Sequence, residues 1–135
     1  MYKRQGDRDD TDFRKVRESY NVREKGCLFC EIDCRRIVSE NPLAFVVRDM
    51  FPITNGHTLI VPKRHAKTYF DLGQAEVNAI NRLIHEQRAV LEESDPSISG
   101  FNINVNCEED TKRAISHCYV HLIPIRKGGA ASLLT

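Results

Sequence analysis

Two imidazoles and a phenol fall at alternate positions in Ser116-His117-Cys118-Tyr119-Val120-His121-Leu122-Ile123-Pro124. If this stretch is a strand, its pleat turns His117, Tyr119 and His121 to one face and Cys118, Val120 and Leu122 to the other. Imidazoles bind metal, hold phosphate and move protons near neutral pH, whereas a phenol becomes a nucleophile only after losing its proton. The opposite face suits a core, so the segment is expected to be buried on one side and chemically equipped on the other. A second group is Cys27-Leu28-Phe29-Cys30, whose two-residue spacing lets one turn offer two thiolates to one metal. The same pair reads as buried or redox-active cysteines, although a thioredoxin-like use needs a helix directly after it in a βαβ unit. Asp49 precedes Met50-Phe51-Pro52, where a carboxylate either caps a turn or accepts hydrogen bonds from a ligand. His85, beside Glu86 and near Arg88, reads as a surface group.

These groups need a framework to hold them, and 135 residues suffice for one domain with a core. The formal net charge of +1 gives no general pull toward a membrane surface or an extended nucleic-acid surface, so an anion must be held locally. No apolar run approaches membrane-spanning length, and Met1-Tyr2-Lys3-Arg4-Gln5 lacks the apolar stretch of a secretory signal. A cytoplasmic location is therefore expected, and the five cysteines favour metal or free thiols over disulfides. Residues 1–25 are dense in charge and are expected to form a flexible extension or a short helix from about Asp10 to Tyr20, ahead of a domain spanning 26–135.

Within that domain, Ala44 to Asp49 and His57 to Val61 read as strands joined through Phe51-Pro52-Ile53-Thr54-Asn55-Gly56, a hairpin-like turn. Apolar residues at Val77, Ile80, Leu83, Ile84, Val90 and Leu91 predict a helix from about Gly73 to Glu93, ended by Asp95-Pro96. Phe101, Ile103 and Val105 alternate with asparagines as a half-buried strand, and the His117 strand follows a polar loop. The order strand, strand, helix, strand, strand predicts an α+β domain with an antiparallel sheet.

His117-x-Tyr119-x-His121-Leu-Ile-Pro and the segment Asn55-Gly56-His57 through His65 together resemble the histidine triad (HIT) nucleotide-binding proteins. The signature of that family is His-x-His-x-His followed by two apolar residues, and the resemblance covers roughly Gly26 to Arg126. It implies a HIT-like fold: an antiparallel sheet of about five strands, one long helix, a shorter N-terminal helix, and pairing into a symmetric homodimer. It also implies a purine nucleoside monophosphate or a nucleotide conjugate as ligand, and kinship with nucleoside phosphoramidate or dinucleoside polyphosphate hydrolases and nucleotidyl transferases.

By the same resemblance, Asp49 would bind the ribose hydroxyls, Asn106 would lie near phosphate and ribose, His57 would stand close by and His121 would contact phosphate oxygens. Phe29, Ile32, Phe45 and Val47 could wall a base or simply fill a core. In a zinc-binding subset of the family the structural metal site maps onto Cys27, Cys30, His65 and His117, fastening the N-terminal turn to the active-site strand. Cys34 is a spare ligand candidate, and Cys107 and Cys118 read as core or loop thiols.

The departures from the pattern concern catalysis. Tyr119 stands where the family has its nucleophilic histidine, and a phenol in water needs roughly 4 kcal/mol to ionise at pH 7, about a thousandfold in rate. An aryl phosphodiester on Tyr119 would also turn over far more slowly than a phosphohistidine. Lys112-Arg113-Ala114 replaces a phosphate-cradling Gly-Gln-Ser/Thr segment, and Glu108-Glu109-Asp110 occupies a stretch that is usually glycine-rich and able to approach phosphate closely. Three readings follow. The first is a nucleotide-binding protein with impaired catalysis; the second is an active phosphoester hydrolase using Tyr119 or a water held by His121. The third is a zinc-stabilised scaffold for protein contacts.

Overall fold

A computed structural model describes residues 27–107 and 117–128. The helix expected within residues 1–25, and the segments Glu108 to Asp110 and Lys112 to Ala114, lie outside the described residues. Five strands, β1 (Ile37–Glu40), β2 (Ala44–Arg48), β3 (Thr58–Pro62), β4 (Ile98–Val105) and β5 (Val120–Arg126), form one antiparallel sheet in the order β1-β2-β3-β5-β4. One long helix, α1 (Gln74–Ser94), packs on β2 and β3. Short 3-10 turns occupy Cys34–Arg36 and Tyr69–Asp71.

Alternation in β2 explains how one strand serves two layers. Ala44 and Val46 point into a core with Ile60, Ala79, Ile80, Leu83, Val120 and Leu122, on the α1 side of the sheet. Phe45 and Val47 point the other way, where Cys27, Phe29, Leu59 and Val61 complete a second cluster beneath the N-terminal turn. Both faces of β2 and β3 are thus covered, which accounts for their nearly unbroken burial.

The helix runs one residue later than its expected bounds at each end. Gly73 donates its amide to Glu76 Oε1 at 2.8 Å, satisfying an N-terminal donor, and Asp95 followed by Pro96 ends the last turn. Two positions depart from the apolar stripe. Val90 is exposed, while Gln87 is buried with its Oε1 accepting from the Arg48 guanidinium at 2.8 Å.

β2 and β3 lie within a residue of their expected bounds, with Asp49 and His57 left as the shoulders of the turn. The segment from His117 departs more. β5 begins at Val120, so His117, Cys118 and Tyr119 precede the strand rather than belonging to it. Pro62, two residues further along β3 and the next position whose backbone faces β5, has no N–H with which to extend the ladder. The chain instead turns its bonds outward, and Cys118 N donates to Ala66 O at 2.6 Å. β1 is a short edge strand with a register shift between Ile37 and Ser39; its burial alternates between half-buried and exposed, but Ile-Val-Ser-Glu carries no matching alternation of apolar and polar residues to mark it.

Candidate functional site

Four of the expected metal donors come together although 90 residues separate the first from the last. Cys27, Cys30, His65 and His117 offer ligand atoms that all lie within 4.8 Å of one another. His117 Nδ1 is 3.4 Å from Cys27 Sγ and 3.6 Å from Cys30 Sγ, and His65 Nδ1 is 3.3 Å from Cys30 Sγ. A tetrahedral zinc with bonds of about 2.3 Å to sulfur and about 2.0 Å to nitrogen has S···N edges of roughly 3.5 Å, which these separations match.

The tautomer of His117 supports the same fit. Its Nε2 donates to the Pro62 carbonyl at 2.7 Å, so a neutral ring keeps its Nδ1 lone pair for the thiols. The Cys30 amide donates to Cys27 Sγ at 3.5 Å, which holds the two cysteines in one turn. Cys27 and His117 are buried. Cys34 is exposed and outside this set; Cys107 is half-buried and Cys118 is buried.

Asp49, His57 and His121 form a second constellation at the other end of the same face. The backbone builds it. Gly56 adopts a left-handed φ of +93°, Asp49 N donates to His57 O at 3.0 Å, and His57 N donates to Thr54 O at 3.1 Å, which closes the β2–β3 turn. Thr54 Oγ1 ties that turn to β5 through Pro124 O at 2.8 Å.

Asp49 caps the turn that follows it. Its Oδ1 accepts from the Phe51 amide at 2.9 Å, and its Oδ2 stands 3.4 Å from His57 Nε2. His57 is buried, and its Nε2 lies 2.9 Å from His121 Nδ1. Burial lowers the pKa of both rings below the usual histidine value; Asp49 opposes this at each, and at His121 the His57 ring adds to the lowering. Both imidazoles are therefore neutral at pH 7.

Tyr119 stands between the two constellations. Its ring centroid is 5.0 Å from that of His121 and 5.3 Å from that of Phe29, and Phe29 in turn meets His117 edge-on at 5.7 Å and Phe45 at 6.5 Å. Phe29 thus supplies the wall between metal donors and histidine pair, held by the same turn that offers both cysteines. Ile32 packs on the cluster of Phe29, Phe45 and Val47, while Asn106 lies exposed just past the end of β4. His85 is exposed on α1.

Three contributors escaped the reading of side-chain types. Leu59 faces His121 across the β3–β5 ladder and joins the apolar wall; its alternation with Ile60 could have marked it. Pro62 acts through its carbonyl and Ile53 through its amide, which donates to His57 Nδ1 at 3.1 Å. Backbone groups carry no mark in the sequence.

Comparison with known proteins finds relatives of this chain in sequence and in fold. A family model described as the HIT domain matches residues 31–128. A HIT-like protein of Mycoplasma pneumoniae is 30% identical over 112 residues, spanning 79% of this chain and 76% of that one. An adenosine 5'-monophosphoramidase of Candida albicans is 28% identical over 105 residues, 73% and 69% of the two chains. Among solved structures, a zinc-bound histidine triad family protein from Mycobacterium smegmatis matches with a TM-score of 0.69 at 26% identity, covering 79% of this chain and 80% of that one.

Proposed function

Because the chain belongs to the HIT domain family and is related to nucleotide hydrolases, we propose that it binds a purine nucleoside monophosphate or nucleotide conjugate and hydrolyses it poorly. The carrying observation is the Asp49, His57 and His121 cluster set beside an apolar wall, with a phenol in place of the nucleophile. Asp49 keeps lone pairs for a ribose diol, Phe29, Phe45 and Val47 are placed to border the base, and His121 meets phosphate oxygens. Asn106 is assigned to the phosphate and ribose end.

Tyr119 sits against Phe29 and the His121 ring. A phenol in that position serves as a polar wall in place of an imidazole nucleophile. Zinc held by Cys27, Cys30, His65 and His117 would be structural: a closed four-ligand site that fixes the Phe29 turn against the segment leading into β5. The related monophosphoramidase makes a phosphoramidate of adenosine the natural probe.

The homodimer is assigned to the outer side of β4. This eight-residue edge strand leaves Ile103 exposed beside a groove lined by Val77, Ile80 and Ile84 of α1. A cytoplasmic location fits the sequence, and no helix among the described residues is long and apolar enough to cross a membrane.

Calorimetric titration with adenosine and guanosine monophosphates, alongside phosphoramidate turnover by the native chain and Tyr119→His, tests the proposal. Binding by both forms and faster turnover by the variant are expected. Equal turnover would instead support an active enzyme that uses Tyr119 or a His121-held water, and absence of binding would leave the scaffold reading.

A further inference from the structure

The second constellation has the composition of a two-histidine, one-carboxylate metal centre, yet one backbone bond gives it a different use. The Ile53 amide donates to His57 Nδ1 at 3.1 Å. A neutral imidazole that accepts at one nitrogen carries its proton on the other, so His57 Nε2 is an N–H donor without a lone pair for a metal. Two atoms lie near that proton: His121 Nδ1 at 2.9 Å and Asp49 Oδ2 at 3.4 Å. The nearer takes it, and a protonated His121 Nδ1 would set two N–H groups against each other. His121 therefore accepts at Nδ1 and carries its own proton on Nε2. Its ring is half-buried, and among the described residues no acceptor meets that Nε2.

We propose that the Ile53 amide and His57 are positioning groups that lock His121 as a fixed Nε2–H hydrogen-bond donor, which holds a ligand phosphate but neither ligates metal nor activates water. The use of that donor rests on the nucleotide reading above. Burial keeps both rings neutral, as described for their shifted titration. A neutral pair linked in this way has no spare proton to give and no open basic nitrogen, since Nδ1 of each ring is already an acceptor. The site accordingly grips an anion by donation without acid or base chemistry. This removes the His121-held water from the ways the chain could hydrolyse a phosphoester.

Nitrogen-15 NMR of histidine-labelled full chain at pH 7 tests the lock directly. A coupling between His57 Nε2 and His121 Nδ1 across the hydrogen bond is expected, with the bridging proton on His57 and a second proton on His121 Nε2. Absence of that coupling, or a proton on Nδ1 of either ring, overturns the lock whatever the chain binds. Adenosine monophosphate titration then tests its use. His57→Leu, which removes the donor, is expected to weaken binding about three- to tenfold, the worth of one oriented hydrogen bond. His57→Gln, which keeps an N–H near the place of Nε2, is expected to restore most of that loss. Equal binding by native chain and both variants overturns the positioning role. If native chain shows the coupling but binds no nucleotide, the nucleotide reading fails and the assigned use of the donor fails with it. Unchanged melting temperature in His57→Gln confirms that its binding is read on folded protein.

Discussion

Removing the Glu76 carboxylate tests whether the loop that carries His65 is held as the structure describes. Glu76 is fully buried at the N-terminus of α1 and accepts three hydrogen bonds: from Arg64 Nε at 2.9 Å, Arg64 Nη2 at 2.8 Å and the Gly73 amide at 2.8 Å. Arg64 also donates to Asp71 O at 2.6 Å, so the guanidinium closes the segment between β3 and α1 onto itself. Breaking a buried ion pair by deleting one partner costs about 3–5 kcal/mol. The Arg64 side chain keeps 23% of its surface exposed, which lets water recover part of that loss. Glu76→Ala is therefore expected to cost about 3 kcal/mol, a fall of about 9–15 °C in melting temperature for a chain of this size. Urea denaturation and thermal melting of the metal-loaded chain are the assays, with Arg88→Ala as comparison. Arg88 meets Glu92 at 3.3 Å on the exposed face of α1 and should be worth no more than about 0.5 kcal/mol. The paired change Arg64→Leu with Glu76→Leu should lose less than Glu76→Ala alone, because no charge is left buried without its partner. A loss below about 1 kcal/mol for Glu76→Ala would refute the reasoning, as would a paired variant no better than the single one.

Elemental analysis of purified chain is expected to give one zinc per chain, with chelation lowering the melting temperature; Cys27→Ser and His65→Ala should each abolish the metal, and a metal-free chain with unchanged melting would exclude the site. Stability should also follow the two lowered histidine pKa values. Unfolded His57 and His121 take up protons near pH 6.5, before their folded forms do, so stability is full above that pH and falls on acidification below it. Denaturation between pH 7.5 and 5.5 should show a flatter dependence in His121→Gln, which keeps the metal donors; a native chain that gains stability on acidification contradicts the assignment. Gly56→Ala forces a side chain onto φ +93° and sets its Cβ 3.2 Å from Pro124 Cγ and 3.4 Å from Leu91 Cδ2. A cost of about 2–3 kcal/mol is expected by denaturant titration, and a change under about 0.5 kcal/mol would show that the turn relaxes freely. On the proposed homodimer, Ile103→Lys should shift sedimentation from dimer to monomer, and an unaffected dimer would move the interface away from β4.

Periodicity made much of the framework legible. The apolar stripe from Val77 to Leu91 marked α1 because packing on a sheet demands one continuous face, and Asp95-Pro96 marked its end because proline cannot follow in a helix. Ala44 to Val47 and Leu59 to Val61 read as strands because residues of that shape fill both sides of a covered sheet. β1 was illegible for the opposite reason: an edge strand with one neighbour buries none of its four residues fully, so Ile-Val-Ser-Glu needs no apolar alternation. The start of β5 at Val120 rather than His117 is not legible in the alternation, because it depends on the partner strand, where Pro62 cannot donate to continue the ladder.

The donor types were equally plain, since thiol, imidazole, carboxylate and phenol are written in the chain, and the spacing of Cys27 and Cys30 already confines two thiols to one turn. What they meet was not. That His117 turns Nδ1 toward Cys27 follows from a bond to the Pro62 carbonyl, and that His57 is a donor toward His121 follows from the Ile53 amide. Sequence determines which chemical groups exist and how each segment repeats, because both are local properties. Tertiary structure alone decides which nitrogen of a ring bears the proton, because backbone amides and carbonyls are identical along the chain until folding aims them.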